Sequence, residues 1–443
     1  MRKERDYLGE VEIPEERYYG IQTARAMKNF GRIGGTVRRE MMEAVVTVKK
    51  AAAMAYRSLK SSPWPEKKKP DCNVEAEAVW DSVIAACDRI LAEEAPFYKE
   101  EFPLAALQGG AGTSLNMNVN EVIANLALEQ LGFEKGRYDI VHPLDTVNKG
   151  QSTNDVYPTA LRIAAVRKLR VLSSACAALQ EALQKKEQEF AGVRKLGRTE
   201  MMDAMEITLG EEFGAYAQAI GRDRWRIYKV EERLRQVNLG GTAVGTSATA
   251  ERRYTYKVMD ILRDLTDIGL AKAEYPMDIT QNQDVFAEVS GLLKALSVNL
   301  MKIAGDFRLM ASGPAGGFGE IRLPALQKGS TIMPGKVNPV IPEMVTQAGI
   351  RVAAHDMEIT MAGSIGNLEL NAFLPLIMDA LLDSLDLLTE SVVRLKESCV
   401  EGIEACEERC AELLRASDVN ENTGRIPEEG YDAAEKRALS KER

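Results

Sequence analysis

Between residues 285 and 310, apolar side chains recur at gaps of three and four: Val285, Val289, Leu292, Leu296, Leu300, Ile303, Phe307 and Met310. That spacing puts them on one stripe of a helix lying lengthwise in a bundle. Segments near 156–190, 205–236, 251–272, 340–358 and 375–414 read the same way, charged on one side and apolar on the other. These helices run far beyond the usual three turns, and strand-like alternation is scarce. The expected fold is therefore all-α. A stripe this long is seldom covered inside one subunit, so association through the bundle is expected as well. From about residue 416 the chain is polar, with room for one short helix at its end.

The chain has 443 residues, more than one core usually holds, which points to two or three domains. A hydrophobic share of 45% and a charged share of 28% suit a folded cytoplasmic protein. The formal net charge of -9 argues against a nucleic-acid partner, which calls for surplus Lys and Arg. No apolar run is long enough to span a membrane. The opening "MRKERDYLGE" has no apolar core of the kind a signal peptide carries. Six scattered cysteines (Cys72, Cys87, Cys176, Cys399, Cys406, Cys410) read as reduced thiols. Cys406 and Cys410 lack the partners that would complete a metal site. Only His142 and His355 are available as histidine bases, so another kind of base enters consideration.

Irregular, polar segments interrupt the helices: "QGGAGTSLNMNVNE" (108–121), "HPLDTVNKGQSTND" (142–155), "LGRTEMMDA" (196–204), "NLGGTAVGTS" (238–247) and "KGSTIMPGKVNP" (328–339). They place Thr113, Ser114, Ser152, Thr153, Asn154, Thr199, Ser330, Thr331 and Asn338 beside glycines and before helices. Free backbone N–H groups at helix starts, with hydroxyls and amides, form a donor set suited to carboxylates. Each segment also has a plainer reading. "QSTND" matches a helix cap, "GGAGTS" a turn, His142 a loop residue, His355 a structural one, and Asp145 and Asp155 caps. The 328–339 loop resists the plain reading. It interleaves Ser330, Thr331, Lys336 and Asn338 with two glycines that can hinge it over a ligand.

"GSTIMPGKVNP" closely resembles the GSSxMPxKxNP signature of the aspartase/fumarase superfamily. "YYGIQTARAMKNF" (18–30), "GGAGTSLNMNVNEVIAN" (109–125), "VNKGQSTNDVYPTALRIA" (147–164), "NLGGTAVGT" (238–246) and "GNLELNAFLP" (366–375) resemble family segments in family order. "KVNPVIPEMV", "YYGIQT" and "QSTND" are similar to the aspartate ammonia-lyase branch, whereas "VNKGQ" and "LGGTAVGT" are somewhat fumarase-like. The resemblance implies three helical domains: residues 1–150, a central long-helix bundle at 151–375 carrying the Ser loop, and a small C-terminal domain at 376–443, shorter than usual. It implies a homotetramer built on a twenty-helix core, with each active site shared among three subunits. The implied substrate is a small dicarboxylate amino acid, with no metal and no organic cofactor.

Carried over by position, Ser330 would be the base, acting as an oxyanion on the carbon next to the β-carboxylate. Lys336 would add positive charge to the loop and, with Asn338, hold the α-carboxylate. Thr113, Ser152, Thr153 and the backbone near Thr331 would hold the β-carboxylate end, with Ser114 in the same binding set. Thr199 and Asn154 would lie near the leaving amine, and His142 would flank the site. Departures from the family pattern are Glu200, where His or Gln usually follows "GRT", Leu144 and Thr146 in "HPLDTVN", and Thr331 for Ser. Glu200 would attract a cationic amine, act as a general acid if burial raised its pKa, or repel a dicarboxylate, which leaves plain and N-substituted aspartate both open. The competing expectations are a fumarase acting on malate and a non-catalytic bundle protein.

Overall fold

A computed structural model describes residues 1–70 and 73–441 of the chain. Long helices dominate: Arg39–Ser58, Thr153–Glu189, Leu209–Leu234, Asp284–Met310, Val340–Ser364 and Leu374–Ser398. The strands form only two-stranded pairs. Along Asp284–Met310 the buried face is Phe286, Val289, Leu293, Leu296, Leu300, Ile303, Phe307 and Met310. Phe286 and Leu293 therefore take the inward places expected of Val285 and Leu292, while the rest of the stripe is as read from the spacing. Among the described residues no helix is long and apolar enough to cross a membrane.

The helix expected at 340–358 runs on to Ser364. Three other helix bounds differ from expectation, each for a local reason. The 205–236 helix starts at Leu209, because Thr208 and Glu211 form a reciprocal cap: Glu211 N–H donates to Thr208 Oγ1 (3.1 Å) and Thr208 N–H to Glu211 Oε2 (2.7 Å). Residues ahead of that cap pair as a hairpin, Arg194–Thr199 with Met202–Thr208. The 251–272 helix stops at Thr266, where Asp267 turns left-handed at φ 52°. The 375–414 helix breaks after Ser398: Glu404–Ala405 pairs with Ile321–Arg322, Cys406 N–H donates to Glu320 O, and a new helix runs Glu407–Ala416. Beyond it the tail holds Val419–Gly424, Ile426–Glu429 and Tyr431–Lys441, more helix than the one short piece expected.

The chain divides into two compact units, each drawn from three segments. The first takes Met1–Arg170, Tyr228–Gly291 and Ala354–Leu385. Its Arg39–Ser58 helix has a centre of small apolar residues, so Ala76–Ala92 and Arg252–Thr266 pack closely on it. Tyr56 stacks between Trp80 (5.5 Å) and Tyr254 (4.4 Å). His355 is buried here, its Nδ1 3.1 Å from Ser384 Oγ, which bears out the structural reading of that histidine.

The second unit takes Val171–Ile227, Leu292–Ala353 and the chain from Asp386. Phe213 packs on Phe190 (5.2 Å) and Phe307 (5.5 Å) at its core. Cys87, Cys176, Cys399, Cys406 and Cys410 are all free thiols, as expected; Cys72 lies outside the described residues.

Candidate active site

The first unit holds Thr113, Ser114, His142, Ser152, Thr153 and Asn154; the second holds Thr199, Glu200, Ser330, Thr331, Lys336 and Asn338. Each set has its own supporting geometry.

In the first unit Thr113 opens the helix Thr113–Gln130, and Gly112 just before it sits at φ 90°. A Cβ at Gly112 would meet Tyr157 at 2.1 Å, so glycine is required there for space as well as conformation. Thr113 is exposed and gives its hydroxyl proton to its own turn, donating to Gly110 O at 2.7 Å. Ser152 and Thr153 do the opposite. Ser152 Oγ accepts from Asn154 N–H (3.2 Å) and Thr153 Oγ1 accepts from Asn116 Nδ2 (3.1 Å), so both hydroxyl protons face elsewhere. Asp155 completes the turn by accepting from Ser152 N–H at 2.9 Å, which makes "QSTND" a genuine cap as well as a display of donors. The other oxygen of Asp155 accepts from Gly240 N–H (3.0 Å) and Thr242 N–H (2.9 Å), fastening the "NLGGTAVGTS" loop to the same point. Burial raises the Asp155 carboxyl to about 6, although three N–H groups hold it charged. Asn154 donates to Ala243 O at 2.8 Å.

His142 caps the short turn Pro143–Val147: its Nδ1 accepts from Leu144 N–H (3.0 Å) and Asp145 N–H (3.1 Å). Protonation at Nδ1 would cost both bonds. Burial lowers its pKa from 6.5, with Asp145 opposing and nearby Lys68 assisting. The stability this neutral imidazole contributes is thus present above the unfolded value of about 6.5 and is lost as pH falls through the lower folded value. Melting temperatures from pH 7.5 to 5 should fall more steeply for the wild type than for His142→Asn, which caps without titrating. Parallel slopes would show that the cap does not titrate.

In the second unit Glu200 and Met201 form a two-residue turn at φ 54° and 69°, joining the two hairpin strands with both residues left-handed. Thr199 and Glu200 are therefore exposed at the hairpin tip. The base of the hairpin is tied down by buried charges. Lys195 pairs with Glu320 (2.9 Å) and Glu212 (2.7 Å), and Arg198 pairs with Glu320 (2.8 Å) while lying over the Phe318 ring at 4.1 Å. Glu320 stands ten positions ahead of Ser330 in sequence, so one buried carboxylate anchors both the hairpin and the root of the Ser loop.

The loop itself is exposed and self-closed. Gly329 N–H donates to Lys336 O (2.9 Å) and Asn338 Nδ2 to Gly329 O (2.8 Å). A Cβ at Gly329 would lie 2.4 Å from Lys336 O, so this closure needs the glycine. Ser330 Oγ accepts from Met333 N–H (2.9 Å) and Ile332 N–H (3.2 Å). Two aligned N–H groups on one hydroxyl oxygen are what an oxyanion requires. The side chains of Thr331 and Lys336 are exposed and have no protein partner among the described residues.

Asn116, Asn148, Gln151 and Lys49, none of them among the residues expected at the site, form a hydrogen-bonded cluster against the Ser152–Asn154 turn. A signal existed: asparagines at 116, 118, 120 and 125 fall inside a helix whose neighbours are apolar, and all four are buried.

The Lyase family profile matches residues 9–354. The aspartate ammonia-lyase of Bacillus subtilis (strain 168) is 41% identical over 98% of this chain and 88% of its own length. That of Escherichia coli (strain K12) is 41% identical over 93% of this chain and 83% of its own. Among solved structures, the fumarate lyase:delta crystallin of Brucella melitensis bound to cobalt superposes with a TM-score of 0.91 at 43% identity, covering 100% of this chain and 94% of that one. The class II fumarase of Schistosoma mansoni gives 0.91 at 31% identity, covering 98% and 91%. With its polar loops in family order on a matching helical scaffold, the chain belongs to the aspartase/fumarase superfamily and is a carbon–nitrogen lyase of that family.

Proposed function

We propose that the protein eliminates ammonia from L-aspartate, or an amine from an N-substituted aspartate, to give fumarate. The observation that carries this reading is Ser330 Oγ held by two backbone N–H groups on a glycine-flanked loop. Deprotonated, Ser330 removes the proton from the carbon beside the β-carboxylate, whose electron pair passes into that carboxylate as a dianionic aci-form. The pair then returns to form the double bond as the C–N bond breaks and the amine leaves. Ser152 and Thr153, with the backbone near Thr331, bind the developing dianion, each donor worth about 3 kcal/mol by comparison with oxyanion holes; Thr113, whose proton goes to Gly110 O, drops out of the donor set expected from the sequence. Lys336 and Asn338 serve the α-carboxylate, and Thr199 and Asn154 the amine end. We further assign the working form to a cytoplasmic homotetramer of three-domain subunits with sites shared among them, as the family pattern implies.

The test is absorbance of fumarate's conjugated double bond with L-aspartate in one cell and L-malate in the other. Growth with aspartate supports the ammonia-lyase. Growth with malate alone would move the reaction to a hydratase. Silence from both would turn the search to N-substituted aspartates.

Glu200 bears on which amine leaves. Its carboxylate repels a plain dicarboxylate and favours a more cationic substrate. Glu200→Gln keeps the same left-handed turn and is expected to raise kcat/KM on L-aspartate about five-fold, the scale of one charge near a protein surface. An unchanged kcat/KM would make Glu200 incidental.

A further inference from the structure

Lys49 is fully buried at the centre of Arg39–Ser58, among alanines and valines, and the proposed reaction does not use it. Its Nζ donates to Asn148 Oδ1 (2.7 Å) and Gln151 Oε1 (3.0 Å). The direction of each amide here follows from backbone carbonyls, which only accept. Gln151 Nε2 faces the carbonyls of Val147 (3.1 Å) and Lys149 (3.3 Å), so its oxygen is the end turned to Lys49. Asn148 Nδ2 faces Gln151 O (3.1 Å), so its oxygen is likewise the end that meets Lys49. That oxygen also accepts from Asn116 Nδ2 (3.1 Å) and Asn120 Nδ2 (3.3 Å).

Asn116 is now fixed with its nitrogen toward the cluster, and the same nitrogen donates to Thr153 Oγ1 (3.1 Å). Having accepted there, the Thr153 hydroxyl must give its proton in another direction. Among the described residues no protein acceptor takes it. The arrangement has a visible cost: Asn116 Oδ1 and Asn120 Oδ1 are buried without a partner. Flipping Asn116 would relieve one of them, but would set its oxygen against Asn148 Oδ1, which Lys49 holds in place.

We propose that Lys49 is a positioning residue: it locks Asn148, and through it Asn116, so that Thr153 presents its hydroxyl to the substrate as a donor. The substrate's carboxylate is the acceptor, a point that rests on the role given to Thr153 above. Burial lowers Lys49 to about 7, with Asp155 and the Cys87 thiol the titratable groups facing it. As ammonium or as amine it has at least two N–H to give, so the lock holds in either form.

The experiment compares wild type, Lys49→Met, Thr153→Val and the double variant. It reads kcat and KM for fumarate formation from L-aspartate, and inhibition by succinate, a dicarboxylate that cannot react. Oligomer mass and melting temperature are recorded alongside. Each single change is expected to lower kcat/KM and weaken succinate about 10- to 100-fold, as for a lost bond to a charged group. The double variant should stay within about two-fold of Thr153→Val, because the second change removes nothing further. A role confined to packing would instead multiply the two losses. Asn116→Leu, which leaves Lys49 in place, should match Thr153→Val and covers a Lys49→Met that does not fold. Multiplied losses, or undiminished succinate binding in Lys49→Met or Asn116→Leu, overturn the role of Lys49 and leave the lyase reading standing. A wild type that makes no fumarate overturns that reading and this role together.

Discussion

Ser330→Ala is expected to lower fumarate formation by about 10²- to 10⁴-fold, the span credited to a positioned general base. The expectation rests on two separable facts. Ile332 N–H and Met333 N–H converge on one oxygen, so removing that oxygen removes both the base and the atom those donors serve. Residues 331–337 are exposed and the loop closes through Gly329, Lys336 and Asn338, none of which needs the Ser hydroxyl. Melting temperature and oligomer mass should therefore stay at wild-type values while turnover collapses. Near-normal turnover in this variant would remove Ser330 from the mechanism. A collapse accompanied by loss of the oligomer would leave the base unassigned and send the search back to the loop's role in assembly.

Asp155→Ala should have the largest effect on stability, about 3–5 kcal/mol, on the scale of breaking a buried charged network. One carboxylate accepts from Ser152 N–H on one side and from Gly240 and Thr242 N–H on the other. Alanine would leave those donors without their acceptor in a site closed to water, and the Lys49 charge without the nearby anion that supports it. Thr242 is held at φ 58°, a conformation a threonine avoids unless its surroundings impose it. Urea unfolding should show a lowered midpoint at unchanged slope. A loss below about 1 kcal/mol would mean the Gly-rich loop holds its shape without Asp155.

How much of this could be read from the chain follows from the range of each interaction. The bundle was legible because Val289, Leu296, Leu300, Ile303, Phe307 and Met310 lie on one helix, and periodicity is a local property. The polar turns ahead of Thr113–Gln130 and Thr153–Glu189 were legible because each precedes a helix start, whereas the 196–204 segment lies in a hairpin. The Arg194–Thr208 hairpin was hidden: "TEMMDAMEIT" has neither Asn-Gly nor Asp-Gly, the usual marks of a two-residue turn, and its first strand is anchored by Glu320 from far along the chain. Donor directions were hidden for a similar reason. Whether Thr153 offers a proton or a lone pair depends on Lys49, more than a hundred positions away, and no spacing rule reaches that far.

The Glu200–Met201 turn has a consequence for how this enzyme could change. With both residues left-handed, every ordinary side chain at 200 pays a similar backbone penalty, on the order of 1 kcal/mol, which only Gly or Asn escapes. The scaffold is thus nearly indifferent to which polar group stands there, and it rejects β-branched ones. Chemistry at the tip can drift without disturbing the core beneath it. A randomised library at residue 200 should therefore yield mostly folded proteins that differ in the amine they release. A library at buried Lys195 or Glu320 should yield mostly insoluble ones.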